Sequence, residues 1–245
     1  MWIFRIFIRF GEDIIAGFMY LYRLYVSLIE FFTDTVEILF SFKALKGALN
    51  RFFNDFYDTC IRAIPVTTVF SFTLGAIVIS HVSPLFQTYF VRLFVREFSP
   101  LLVLGFTLVR VAIPTILYHR ELLKSGVASS EAQASDYWVF QVTTFVLLLL
   151  FYTGGFLGGY FFQQLAFIDF YQSIMRRLSS TDILASVIKT FMMSTFLAAQ
   201  VLMEGKRNRE ITDIRLFLML FIIRHAYLWL FLYLLISIAF VYMKF

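Results

Sequence analysis

Cysteine, histidine and charge are all scarce in this chain, and each scarcity excludes something. A single thiol, Cys60, leaves no internal disulfide to form and no cysteine-based metal site. His81, His119 and His225 lie far apart, without the spacing of a metal-binding or zinc-protease helix. No serine or cysteine nucleophile stands with a base at a recognisable interval, and no phosphate-cradling glycine loop is present. The chain is therefore expected neither to be an enzyme nor to hydrolyse ATP, and to hold no cofactor or metal. It also lacks an internal repeat, a low-complexity tract and a linker that would separate a second domain. Charged residues make up only 15% of the 245 positions.

Hydrophobic residues fill the space left, at 60% of the chain with 20% aromatic. That much apolar surface does not fit inside one soluble core and belongs in a bilayer. A net charge of +5 would suggest nucleic acid in a soluble protein. Here the basic residues gather in short segments between apolar runs, as in the cytoplasmic loops of membrane proteins, and no nucleic-acid partner is expected. The opening residues, MWIFRIFIRF, lead into no clean apolar region with a small-residue cleavage site, so no cleaved signal peptide is expected.

A transmembrane helix needs about 20 mostly apolar residues, and five segments qualify: 61–83, 94–118, 138–163, 183–203 and 216–243. Residues 1–58 differ, because charges recur every few positions among aromatic and aliphatic ones, the pattern of helices lying along a membrane interface. Ile14 to Ile29 is apolar apart from Arg23, but its length covers only about 24 Å, and it is read as interfacial. The expected fold is thus an all-α membrane protein, with an N-terminal interfacial helical region over 1–58 and a five-helix transmembrane domain over 59–245. A cytoplasmic N-terminus puts Lys43, Lys46, Arg51, Arg62, Arg120, Lys124, Lys206, Arg207, Arg209 and Arg215 inside. Mainly Arg92, Arg176, Arg177 and Lys244 then lie outside, and the C-terminus with them. Residues 166–181 are too polar to cross and suit a short amphipathic helix on the outer face.

Charge inside a span is expensive and usually faces protein or water. Arg96 and Glu97 open the second span and, as neighbours, stand about 100° apart on an α-helix. They are expected not to satisfy one another directly, so each needs a partner on another helix, a second subunit or a ligand. Alternatively both reach out to the interface. Arg110, about 21 Å further along, is expected near the cytoplasmic side, as are Arg224 and His225 of the fifth span. Asp182 and Lys189 are seven apart on the fourth span, on one face and about 10 Å apart along the axis. Thr181 or Asp182 is expected to cap that helix. Lys189 lies deep enough to need an acid such as Glu97, either as a structural pair or as part of a ligand site. Gly154, Gly155, Gly158 and Gly159 form two four-residue intervals that let a neighbouring helix approach closely. Packing is one reading of them and a lipid passage the other.

These stretches resemble the MlaE-type permeases, the membrane subunits of ABC transporters that work with MCE proteins in moving lipid across the bacterial envelope. IRAIPVTTVFSFTLGAIVISH is similar to the family's first span, with Gly75 at its glycine and His81 where glutamine is common. VREFSPLLVLGFTLVR resembles its RE-x-x-P element and following arginine, through Arg96, Glu97, Pro100 and Arg110. FYTGGFLGG resembles the glycine-rich third span. TDILASVIKTF matches a D-x6-K pattern through Asp182 and Lys189, with Phe191 one residue nearer than in some members. The likeness extends over most of residues 10–240.

The resemblance implies an MlaE-like permease fold in the bacterial inner membrane and a homodimer with ABC ATPase subunits below and an MCE-domain protein above. ATP and Mg would be held by the partner ATPase. It also implies a lipid pocket at the dimer interface, with Arg96, Glu97, Asp182 and Lys189 recognising the headgroup or shaping the cavity. The ATPase-coupling loop falls at 119–137, with Arg120, Glu121, Lys124, Glu131 and Gln133. This loop is shorter than the family's, and Val109 and Val111 flank Arg110 where the family has glycine. Two other readings stay open: a non-transporting scaffold that recruits partners, and a proton-coupled carrier using Glu97 and His225.

Overall fold

The computed structural model describes residues 2–81, 84–108, 130–163, 166–207 and 214–242. Among these only Ser41, Ala166, Leu178 and Ser179 are not helical, and there is no strand. The helices are α1 (Trp2–Phe40), α2 (Phe42–Phe56), α3 (Arg62–His81), α4 (Pro84–Leu93), α5 (Ser99–Thr107), α6 (Ser130–Gln163), α7 (Phe167–Arg177), α8 (Ser180–Arg207) and α9 (Ile214–Tyr242). Two π turns, Tyr57–Ile61 and Phe94–Phe98, join α2 to α3 and α4 to α5.

Both π turns precede a proline, and the cause is local. Pro65 and Pro100 have no N–H for the carbonyl four residues back, and each ring crowds that carbonyl. The affected carbonyls belong to Ile61 and Arg96, which lie within the π turns. Widening the helix there relieves the crowding without ending the helix.

Among the described residues, three helical stretches are long and apolar enough to cross a bilayer: Phe42–Val78, Ser135–Gln163 and Ser180–Val201. They overlap the first, third and fourth expected spans. The second expected span is described only as far as residue 108. The fifth coincides with α9, whose shorter apolar stretch is Leu228–Tyr242. Arg110, Arg120, Glu121 and Lys124 lie outside the described residues.

The N-terminal region is helical on both sides of one break. Residues 2–40 form one helix of 39 residues, about 58 Å long. The chain breaks at Ser41, whose extended backbone (φ −111°, ψ 104°) starts α2. Helix then continues through the boundary drawn at 58/59. Some charges on either side of that boundary are paired within the protein. Arg51 bonds Asp136 on α6 at 3.2 Å and stands 3.3 Å from Asp55, while Arg62 lies 3.0 Å from Asp58.

α1 has three faces. Leu24, Phe31 and Ile38, seven apart, are buried against the bundle, and Phe31 stacks on Tyr137 with ring centres 3.5 Å apart. Ile15, Tyr22, Ile29 and Val36, together with Tyr25, Phe32 and Leu39, form an exposed apolar stripe. Arg23, Glu30 and Glu37 occupy a third direction. One face to protein, one apolar and one charged suits a helix at a membrane surface.

α6 is the axis of the fold. It packs against α2, α3, α5, α8 and α1, and its Leu147, Leu148 and Phe151 share a core cluster with Ala63 of α3 and Val103 of α5. Its glycines explain the closest crossing. A methyl group added at Gly158 would overlap the carbonyl of Phe72, one at Gly75 the backbone of Gly155, and one at Gly154 the Ser71 hydroxyl. Gly159 is also buried. The glycine-rich stretch thus brings two backbones into contact, which is the packing reading. Between α6 and α8, Gln141 donates to Thr195 at 2.8 Å and accepts from Ser194 at 2.6 Å.

Candidate functional site

Arg96, Glu97, Asp182 and Lys189 come together where the π turn between α4 and α5 meets α8 and α9. Pro100 starts the arrangement. By withholding an N–H it frees the Arg96 carbonyl, which the Lys189 ammonium approaches at 3.5 Å. Ser99 Oγ donates to the Phe94 carbonyl at 2.7 Å, closing the turn on its other side.

Lys189 is completely buried, with 0% of its side chain exposed, and its Nζ donates to Glu97 Oε1 at 2.5 Å. A buried ammonium without an acid would be very costly. Glu97 Oε2 accepts from the Tyr233 hydroxyl at 3.1 Å and from Ser237 Oγ at 3.0 Å. The Tyr233 hydroxyl also lies 2.7 Å from the Glu97 carbonyl. The carboxylate therefore binds α8 and α9 at once. Ser237 and Tyr233 are four apart on one face of α9, a hydroxyl pair within its apolar stretch Leu228–Tyr242. That spacing was the available signal, and the sequence reading missed it.

Arg96 behaves differently from its expectation. Its Nε stands 3.4 Å from Glu97 Oε1, so the neighbours do face one another. A π turn has more residues per turn than an α-helix, which reduces the angle between successive side chains. Arg96 Nη1 also lies 3.9 Å from Asp182 Oδ1. The Arg96 side chain thus links Asp182 to Glu97, and Glu97 in turn holds Lys189, which shares a face of α8 with Asp182.

Asp182 has a second task. Ser179 is the N-cap of α8: its hydroxyl accepts from the Thr181 N–H at 3.2 Å, and its own N–H donates to Asp182 Oδ2 at 3.0 Å. The reciprocal bond is that of a capping box with aspartate in the glutamate position, while the hydroxyl takes the N–H one residue earlier. The expected cap at Thr181 or Asp182 sits at Ser179 instead, with Asp182 as the reciprocal partner. Arg92 Nε stands 3.6 Å from the same carboxylate.

A second tie lies deeper. Gln200 on α8 bonds both the Tyr20 hydroxyl of α1 and the Trp229 indole of α9, and Tyr152 on α6 bonds Ser186 on α8. Of the remaining candidates, Glu131 and Gln133 fall in the first turn of α6, and Arg224 and His225 lie within α9. No group of three His, Cys, Asp or Glu side chains suited to a metal occurs among the described residues.

No protein-family model matches the chain. No curated protein matches its sequence.

Proposed function

We propose that this chain is the membrane subunit of an MlaE-type lipid transporter. Two copies would enclose a lipid chamber in the bacterial inner membrane, and a separate ABC ATPase would drive its rearrangement. An MCE-domain protein would receive or deliver phospholipid on the outer side. The N-terminus would be cytoplasmic and the C-terminus periplasmic.

The observation that carries this reading is the meeting of its two most distinctive elements. RE-x-x-P and D-x6-K are about 90 residues apart in sequence, yet Lys189 and Glu97 form one ion pair at 2.5 Å. Such a pair clamps the entrance of the second span to the fourth, with α9 held by Tyr233 and Ser237. Of the two roles considered for these residues, full burial of Lys189 favours shaping the cavity. Arg96, part exposed and with a buried Nη2 that has no hydrogen-bond partner, is the better headgroup ligand. The coupling loop over 119–137 would seat the ATPase.

The test is ATP-dependent transfer of a fluorescent phospholipid between proteoliposomes carrying the chain with its co-isolated ATPase and acceptor vesicles. Transfer is expected to need ATP and to fall in Arg96→Ala while the protein stays folded. No ATPase on the isolated chain and no ATP-dependent transfer would favour the scaffold. Transfer driven by a proton gradient without ATP would favour the carrier.

A further inference from the structure

We infer that each copy of the chain also holds its own binding site for the hydrocarbon tail of an anionic single-chain amphiphile, beneath α7. A cavity of about 540 Å³ lies there, within the size range of small-molecule sites. Its walls come from α3, α4, the second π turn, α6, α7 and the start of α8, through residues such as Val78, Val91, Phe156, Ile174, Met175 and Ile183. Among the lining residues only Tyr152, Thr153 and Tyr171 carry polar side-chain atoms, and the Tyr152 hydroxyl is taken by Ser186. Water has few partners in such a space, whereas hydrocarbon restores the dispersion contacts that a void forfeits.

One end of the cavity is charged, which distinguishes it from a plain packing defect. Lining residues Val91, Leu178 and Ile183 are the sequence neighbours of Arg92, Arg177 and Asp182, and Arg92 links the other two, through the Arg177 backbone and the Asp182 carboxylate. Arg92 Nε donates to the Arg177 carbonyl at 2.8 Å and faces Asp182, while Arg177 Nη1 donates to Gln87 Oε1 at 2.6 Å. Half of the Arg92 side chain is exposed. Asp182 is shared between Arg92, Arg96 and the Ser179 N–H, so positive charge stays in excess at this end. An apolar pocket with guanidiniums at its end suits an acyl chain ending in a carboxylate or phosphate. The named walls span α3, α4, α6, α7 and α8 of a single copy, so the proposed site can be probed on the isolated chain.

The test uses the full-length chain in detergent micelles and a fatty acid bearing a diazirine near the end of its tail. After illumination, mass spectrometry maps the labelled residues. Label is expected on the segments around Phe156, Met175 and Ile183. Thr153→Trp and Met175→Trp introduce bulk from exposed positions and are expected to lower labelling about tenfold with far-UV circular dichroism unchanged. Arg92→Gln with Arg177→Gln is expected to lower fatty-acid labelling about tenfold while leaving a matched fatty-alcohol probe unaffected. Competition by oleate alone identifies a free fatty acid, and competition by lysophosphatidylglycerol alone a membrane lipid product. Label spread over exposed Val66, Val69 and Leu234, indifferent to the filling variants, overturns the site. Equal competition by oleate and oleyl alcohol overturns its anionic end.

Discussion

The α3–α6 crossing and the ionic cluster at α5, α8 and α9 hold helices together by opposite means. At the crossing, glycine removes the side chain, and backbone meets backbone at Gly75, Gly155 and Gly158. At the cluster the side chains are long, and charge meets charge across two helices. In lipid the hydrophobic effect no longer drives apolar helices together, so close packing and polar bonds do that work. The difference teaches that the two seams fail differently. A glycine seam fails when anything is added, whereas an ionic seam fails when one partner is removed.

Adding bulk to the glycine seam is the largest expected perturbation. Gly158→Leu or Gly75→Leu forces the helices apart and is expected to destabilise by more than about 3 kcal/mol, read as unfolding at markedly lower denaturant in detergent. Gly105 serves as the contrast, since a methyl group there meets nothing within 4 Å. If Gly158→Leu left stability unchanged, the backbone contact would not be what holds α3 to α6.

Removing one partner from the ionic seam comes next. Lys189→Met strands Glu97 and is expected to cost about 3–5 kcal/mol, whereas adding Glu97→Gln to it restores most of the loss. A double variant no better than the single would show that the pair is not the coupled unit described. Arg96→Gln is expected to cost less than about 1 kcal/mol, because its contacts are long and part exposed. The smallest effect belongs to Gly105→Ala, a gain of about 0.5 kcal/mol from better helix propensity.

Legibility differs between the two seams for a physical reason. Four-residue glycine spacing is local, so the close face of α6 can be read directly from TGGFLGG. Lengths of apolar sequence likewise mark the three described stretches able to cross a bilayer, out of five expected. The shared face of Asp182 and Lys189 also follows from helix geometry. Other parts depend on distant residues or on irregular backbone. The meeting of Arg96 with Glu97 requires a π turn, which no hydrophobic period encodes. Arg51 looked like one charge of an interfacial segment because its partner, Asp136, is 85 positions away. The N-cap at Ser179 was misplaced by two or three residues because serine, threonine and aspartate all stand near the start of α8. Tyr233 and Ser237 were passed over because the carboxylate they bind belongs to another helix.

Whether the ionic cluster frames a chamber shared by two copies is tested most directly by native mass spectrometry of the wild-type assembly released from its own membranes. Two copies of the chain, carrying bound phospholipid and two ATPase subunits, are the predicted composition. A lipid-free single copy without an ATPase would contradict it.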